Sequence, residues 1–337
     1  VVTNGMDAGY YSANINVTAP NVESASIGVN LFVTGDNSTP ILPNIDISSS
    51  ENGIVNLPDD VDSLFSNVAS RYTHIVAPNG DLIQFLIQDD FTVPQILHTR
   101  RVLESYLTDI PDTDWGSDKS NIAIAMATSN AIMFLLNDED EYENPYIWDI
   151  FDSGVNGQDL LAIEVFPEGS SEYMNSTERD ATYEEVLHFM HGYGVQLALP
   201  TMQNAIESAM LNAINNDVYN PLSDLPEDDF DEEYFAMGLE CYFGLWAHDP
   251  NGDGFCGDQE YAFITREAMA IGDSALFAII NGFFGEAWEY TAVLPQGFNS
   301  NFFMINQEGL DYTYRSQYLK NIEASGDQSI NFYGNDF

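Results

Sequence analysis

The sequence predicts an α+β protein, in which a helical domain with a small mixed sheet follows an N-terminal β arm. Apolar and polar side chains alternate along residues 11–17 and 25–33, the period of a half-buried strand, and no helical pattern occurs before residue 55. From about residue 58, segments with helical spacing of apolar side chains alternate with short apolar strand patterns. An apolar content of 45% in 337 residues is sufficient for a packed core.

Composition divides the chain into three parts. Residues 1–55 form the β arm and its linker, in which Gly35–Pro43 is rich in Asp, Asn, Ser, Thr and Pro. Residues 56–318 form the main α+β domain, and residues 319–337 form a C-terminal β segment. A two-stranded ribbon is marginally stable alone in water. The arm therefore either completes a sheet in a neighbouring copy or folds back on its own domain.

The elements of the main domain follow from its local patterns. Pro78-Asn79-Gly80-Asp81 is a turn signal, and it predicts a hairpin between strands at 74–77 and 82–87. The next predicted elements are a helix at Thr92–Leu107, a buried helix or strand at Asn121–Leu136, a strand at Leu160–Val165, and helices at Thr182–Gly194, Pro200–Ile214, Glu232–Trp246 and Glu260–Phe284, the last broken at Gly272.

The charge of the chain limits its partners. Against 54 acidic residues there are eight basic ones, and a net charge of −46 disfavours nucleic acid and anionic membranes. The longest apolar run, Ile122–Leu136, is too short to span a bilayer, so we expect no membrane insertion. The acidity indicates either adaptation to high salt or a surface that binds divalent cations, and the calcium loop described below favours the second. Cys241 and Cys256 form a disulfide or are buried thiols.

The segment Thr182–Gly194 is a short amphipathic helix that carries acids and histidines and that the two glycines are expected to end. Glu184 and His188 are four residues apart, so they share one helix face, with Glu185 beside them. This is the geometry of the HExxH zinc helix, in which ligands lie at i and i+4 and the intervening Glu is the general base. Here a Glu occupies the first ligand position.

A downstream helix carries the motif Glu233-Tyr-Phe-Ala. Together the two motifs resemble zincin metallopeptidases of the anthrax lethal factor type, in which a Glu of such a helix is the third zinc ligand. The resemblance implies that Glu184, His188 and Glu233 hold the metal and that Glu185 is the general base.

Two departures from that family favour a catalytically degenerate centre. One nitrogen and two carboxylate ligands make a harder site, which suits Ca²⁺, Mg²⁺ or Mn²⁺ better than Zn²⁺ and reduces Lewis acidity. No tyrosine lies in register with the family's transition-state donor, and Tyr219 is the nearest candidate. The centre therefore holds Zn²⁺ or another divalent ion, or the motif is a partly solvated helix face without metal.

Residues 249–260 match the EF-hand calcium loop at every position of its pattern. The predicted ligands are the side chains of Asp249, Asn251 and Asp253, the carbonyl of Phe255 and a bidentate Glu260. The sequence therefore predicts a structural Ca²⁺ ion.

Residues 319–337 resemble the lead-in to the glycine- and aspartate-rich calcium repeats of secreted hemolysins, which implies an extracellular or cell-surface protein. We therefore interpret the chain as a calcium-stabilised structural or adhesive subunit, of a filament or surface layer, on a degenerate zincin-like scaffold. In this interpretation the subunits self-associate through the β arm. The alternative is an active secreted zinc metallopeptidase.

Overall fold

The computed structural model confirms an α+β architecture. It describes residues 9–17, 25–33, 40–165, 180–223, 225–243, 260–263, 266–285, 288–289 and 305–306, and for the first two and last two of these ranges it describes the backbone alone.

The two predicted N-terminal strands pair with each other. β1 (Gly9–Val17) and β2 (Ala25–Val33) are antiparallel, from Gly9 opposite Val33 to Val17 opposite Ala25. They form a two-stranded sheet of their own, not joined by hydrogen bonds to the sheet of the main domain. Their role as an assembly arm stays a prediction.

The main domain contains a mixed sheet of five strands in the order of the chain. The strands are β3 (Val55–Asn56), β4 (Arg71–Val76), β5 (Leu82–Ile87), β6 (Ile132–Leu136) and β7 (Gly157–Leu161). The pairs β3–β4 and β4–β5 are antiparallel, whereas β5–β6 and β6–β7 are parallel. The hairpin predicted at Pro78–Asp81 is confirmed, with Gly80 at φ +89° in its turn. Two short strands, β8 (Trp288–Glu289) and β9 (Ile305–Asn306), pair separately.

Helices follow the strands in an order close to the prediction. They are α1 (Ser63–Ser66), α2 (Val93–Tyr106), α3 (Ser120–Thr128), α4 (Pro145–Asp152), α5 (Thr182–Met190), α6 (Gln196–Ala198), α7 (Pro200–Asn215), α8 (Phe230–Phe243), α9 (Arg266–Gly272) and α10 (Ser274–Phe284). Helix α2 begins where predicted because the side chain of Thr92 and that of Gln95 form a capping box. Within the described residues, no helix is both long enough and apolar enough to cross a membrane.

Three predicted boundaries differ from the structure. The buried segment at 121–136 is both a helix and a strand, α3 and β6, joined by a turn in which Asn130 has φ 54°. The strand expected at Leu160–Val165 begins earlier, at Gly157, and ends in a 3₁₀ turn at Ala162–Glu164. Residues 260–263 are not helical, so the last predicted helix begins at Arg266, and its break falls at Asp273.

Both faces of the five-stranded sheet are covered. On β6, Met133 and Leu135 face the larger core, which packs against α2, α3, α5, α7, α8 and α10, while Phe134 and Leu136 face a smaller core that includes Phe65 of α1. Since successive side chains of a strand point to opposite faces, a central strand buried on both sides is apolar throughout. This is why the run at 132–136 has no alternation.

The prediction that Gly192 and Gly194 end the metal-site helix is wrong. After α5 the chain makes a π-helical turn at His191–Val195 and continues into α6. A Cβ on Gly194 would lie 2.6 Å from Cγ2 of Ile122, so this glycine permits close packing against α3. The π turn is a feature often found at functional sites.

A buried lysine lies at the start of α3. The Nζ of Lys119 donates to the carbonyl of Tyr106 at 2.9 Å and lies 4.2 Å from the ring centroid of Phe283. The side chain is fully buried, and burial lowers its pKa from 10.5 to about 7.

We expect the slope of the free energy of unfolding against pH, between pH 7 and pH 9.5, to be more positive in the wild type than in Lys119→Met. In that range the unfolded chain protonates Lys119, whose folded pKa is about 7, so raising the pH favours the folded state. Below pH 7 both states carry the charge and the dependence vanishes. Urea unfolding at several pH values, kept below the titration of unfolded tyrosines near 10, measures the effect. Equal pH slopes in the two proteins would contradict this expectation.

Candidate metal centre

The N-terminal end of α5 is tied to α2. The Nε2 of His98, on α2, lies 2.7 Å from Oδ2 of Asp180, and both side chains are fully buried. The other oxygen of Asp180 accepts from the backbone N–H of Thr182 at 3.1 Å. The hydroxyl of Tyr106 donates to the carbonyl of Tyr183 at 2.9 Å. These contacts hold the first turn of α5, which carries Glu184 and Glu185.

The predicted ligands Glu184, His188 and Glu233 meet at one point. One ligand atom of each lies within 4.8 Å of the others, a spacing at which the three side chains could hold one metal ion. Two of them share a face of α5, as their spacing predicts, and Glu233 comes from the first turn of α8. His188 Nε2 lies 4.0 Å from Glu233 Oε1.

The donor set fits a divalent metal ion. The Nε2 of His188 is buried and has no hydrogen-bond partner among the described residues. A buried imidazole nitrogen without a hydrogen-bond partner is costly, whereas an imidazole nitrogen beside two carboxylates is a common metal-binding arrangement, in which the metal takes the place of a proton. Three protein ligands of this kind leave a coordination position for water or substrate.

Glu185 lies beside the cluster and is held by two neighbours. Its Oε2 accepts from the side-chain amide of Gln158, on β7, at 2.7 Å and lies 3.7 Å from Nδ1 of His188. A carboxylate at Nδ1 orients the imidazole so that Nε2 faces the metal position. Burial raises the pKa of Glu185, and His188 opposes this shift. The side chain remains 22% exposed, so it can exchange protons with a bound water.

Negative charge is concentrated around this centre. Burial acts to lower the pKa of His188, but Glu185, Glu233 and Glu184 outweigh it and raise that pKa to about 10. Burial, together with the nearby carboxylates of Asp231, Asp229 and Glu233, raises the pKa of Glu232 to about 7. A cation is therefore favoured here on electrostatic grounds alone.

A cavity of about 560 Å³ opens beside His188. This volume is within the range of small-ligand sites. Its other lining residues come from the end of α3, the start of β7, the π turn, α6, the start of α8 and the turns that adjoin α3, β7 and α8. They are Ala125, Thr128, Ser129, Asn156, Gln158, Gly192, Tyr193, Gln196, Leu197, Asp229 and Glu232.

A second polar cluster fixes α8 against the π turn. His191 Nε2 lies 2.7 Å from Oε1 of Gln203, on α7, and the amide of Gln203 donates to Asp231 Oδ2 at 2.5 Å. Burial lowers the pKa of His191 to about 4, so this imidazole is neutral at pH 7. Asp231 precedes Glu233 by two residues, so the cluster helps to position the third ligand.

Sequence reasoning missed Gln158, Glu232 and the cluster around His191. A single polar residue on a strand, or one glutamine on a helix, carries no local pattern. The one available signal was the spacing between His188 and His191. It places the two side chains near each other only if the helix continues past Met190. The nearest tyrosine candidate, Tyr219, is buried against Tyr234 and is not among the residues that line the cavity.

Most of the predicted calcium loop lies outside the described residues. This applies to Asp249, Asn251, Asp253 and Phe255, whereas Glu260 is described and is 8% exposed. The carbonyl of Glu260 accepts from the backbone N–H of Asn220 at 2.7 Å. Cys241 is a buried free thiol, while Cys256 and the segment 319–337 lie outside the described residues.

Comparison of the chain with protein-family models, with curated proteins and with solved structures finds no match. The resemblance to zincins therefore stays a prediction.

Proposed function

We propose that this chain is a metal-dependent hydrolase that cleaves peptide bonds at the centre formed by Glu184, His188 and Glu233. The observation that carries the proposal is the buried Nε2 of His188, which has no hydrogen-bond partner among the described residues and lies 4.0 Å from Glu233 Oε1, in a side chain that lines a cavity of substrate size. Structural metal sites are closed by four protein ligands, whereas catalytic sites keep a position for water. Three ligands beside a cavity are typical of the second kind.

The residues have separate roles in this proposal. A divalent ion bound there supplies Lewis acidity toward the scissile carbonyl and the attacking water. Glu185 takes the proton from that water and passes it to the leaving amine. Gln158 holds Oε2 of Glu185, so Oε1 is the oxygen that receives the proton. His191, Gln203 and Asp231 keep α8 in the place that lets Glu233 reach the ion.

The ligand set favours a transition metal of intermediate hardness. Imidazole nitrogen suits Zn²⁺ and its neighbours, and two carboxylates suit Mn²⁺. We propose one of these two ions for this centre and Ca²⁺ for the loop at 249–260.

Glu184→His is expected to raise the affinity for Zn²⁺ at least tenfold, because imidazole replaces a carboxylate as a ligand. His188→Ala is expected to abolish binding of both Zn²⁺ and Mn²⁺. Titration of each metal into chelator-treated protein, with metal analysis of the purified protein, measures both effects. Glu227→Gln is the control, because it removes one negative charge from an exposed turn before α8. Wild-type zinc affinity in His188→Ala would refute the centre.

A second candidate function is a calcium-stabilised extracellular subunit that assembles through residues 1–35. It is favoured by the pairing of β1 with β2. Each of these strands has nine residues, and together they form a sheet separate from that of the main domain. Such a hairpin gains stability when it pairs with another sheet edge.

Deletion of residues 1–35 is expected to give a folded monomer, and chelation of Ca²⁺ is expected to weaken assembly of the full chain in dilute buffer. Bound calcium and salt screen the repulsion between copies of charge −46. Light scattering and electron microscopy, with and without chelator, measure assembly. A deletion variant that misfolds would show that these strands belong to the core of their own chain.

A further inference from the structure

Two carboxylates give the lining of the cavity beside the metal centre negative charge. Its lining includes the carboxylates of Asp229 and Glu232, and none of its described lining residues is Lys or Arg. Asp229 is exposed, whereas Glu232 is partly buried. The two carboxylates therefore line the cavity without a Lys or Arg beside them among the described lining residues.

The Glu232 carboxylate is held in place and left uncovered. Its Oε1 accepts from the side-chain amide of Gln196, on α6, at 3.0 Å. A Cβ on Gly192 would lie 3.1 Å from the same oxygen, so the absence of a side chain there leaves space in front of the carboxylate. Gly192 lies in the π turn and Gln196 directly follows it, and both approach Oε1 of Glu232.

The same cavity is lined by His188, whose Nε2 is unpartnered and whose side chain is more than nine-tenths buried. One cavity thus joins a metal-ligating nitrogen to a carboxylate at its wall. Ala125, Leu197 and the ring of Tyr193 line the same cavity and provide apolar surface. An aliphatic stem packs well on such surface while its charged end reaches a carboxylate, as in lysine and arginine.

We propose that this cavity binds the Lys or Arg side chain of a peptide substrate next to the cleaved bond, with Glu232 as its counter-charge. This inference rests on the proposed hydrolase function. The negative charge of the whole chain adds to it, because a field of this sign concentrates cationic peptides near the cavity.

A panel of otherwise identical peptides tests the preference, with Lys, Arg, Gln or Met placed in turn at each position around the cleaved bond. We expect kcat/KM to be about 10- to 100-fold higher with Lys or Arg at one position, the range for a hydrogen-bonded charge pair. Glu232→Gln keeps the shape of the side chain and its contact with Gln196, and it is expected to remove the preference. Glu227→Gln, with the same change in net charge, is expected to retain it. Cleavage without a preference for Lys or Arg would overturn the inference and leave the hydrolase proposal intact.

Binding of agmatine, a guanidinium on a four-carbon chain, tests the cavity independently of hydrolysis. Calorimetry is expected to show binding to the metal-loaded wild type and to Glu227→Gln, at least tenfold weaker binding to Glu232→Gln, and no binding of n-butanol. Gly192→Ala, which places a methyl group against the carboxylate, is expected to weaken agmatine binding without loss of folding. Equal affinity of all four proteins would overturn the inference. If no peptide is cleaved but agmatine binds as expected, the hydrolase proposal fails and the cation site stands.

Discussion

Glu185→Gln is expected to lower kcat for peptide hydrolysis about 10²- to 10⁴-fold while the bound metal stays at the wild-type level. The amide cannot take a proton from water, so the base is lost. The amide has the shape of the carboxylate and keeps an oxygen near Nδ1 of His188, 3.7 Å away in the wild type, so the imidazole keeps its orientation toward the metal position. The effect should therefore appear in kcat and not in metal affinity.

The measurement pairs kcat with metal content in the same samples. Glu184→Gln is the matched comparison, because it changes the adjacent carboxylate in the same way but removes a ligand, and it is expected to lose metal and activity together. Gln158→Leu is expected to give a smaller loss of kcat, because Glu185 remains and only its support is removed. If Glu185→Gln loses metal in proportion to activity, then Glu185 is a ligand or an orienting group and not the base.

Local patterns predicted the parts of this centre that lie on single helices. Glu184 and His188 share a face because a helix brings i and i+4 together, and that holds wherever the helix is placed. The capping box at Thr92 likewise marks the start of α2 in any context. The pairing of α5 with Glu233 was predicted by a resemblance of motifs, and the convergence of the three residues agrees with it.

Features that depend on packing between distant segments were not predicted. The run at 121–136 is apolar because its first part is a buried helix and its last part is a strand covered on both faces. Its composition does not show where the helix ends and the strand begins. Gly192 and Gly194 have the composition of a helix end, yet they serve close approach, to Glu232 and to Ile122 respectively. Gln158 supports Glu185 only because β7 lies beside α5 in the folded chain.

Asp180→Ala is expected to lower the free energy of unfolding by about 3 kcal/mol, among the largest losses for a single substitution in this chain. The change removes the acceptor at 2.7 Å from His98 Nε2 in a fully buried pair and also the contact with the N–H of Thr182. Asp180→Asn keeps an acceptor of the same shape and is expected to lose less. The comparison is the partly exposed pair Arg100–Glu104, on the same helix as His98, whose Nε and Oε1 atoms lie 3.8 Å apart. Glu104→Ala is expected to lower the free energy of unfolding by about 0.5 kcal/mol.

Asp180→Ala should also weaken metal binding, because Asp180 holds the first turn of α5, where Glu184 lies. A looser first turn must be ordered again when the ion binds, and that cost reduces the affinity. Urea unfolding with and without Zn²⁺ or Mn²⁺ measures both effects, since a ligand that binds the folded state adds stability in proportion to the logarithm of its concentration over Kd. A loss of stability in Asp180→Ala with unchanged metal affinity would show that the His98–Asp180 pair supports the core and not the centre. A loss below about 1 kcal/mol would contradict the expected cost of leaving a buried donor without its acceptor.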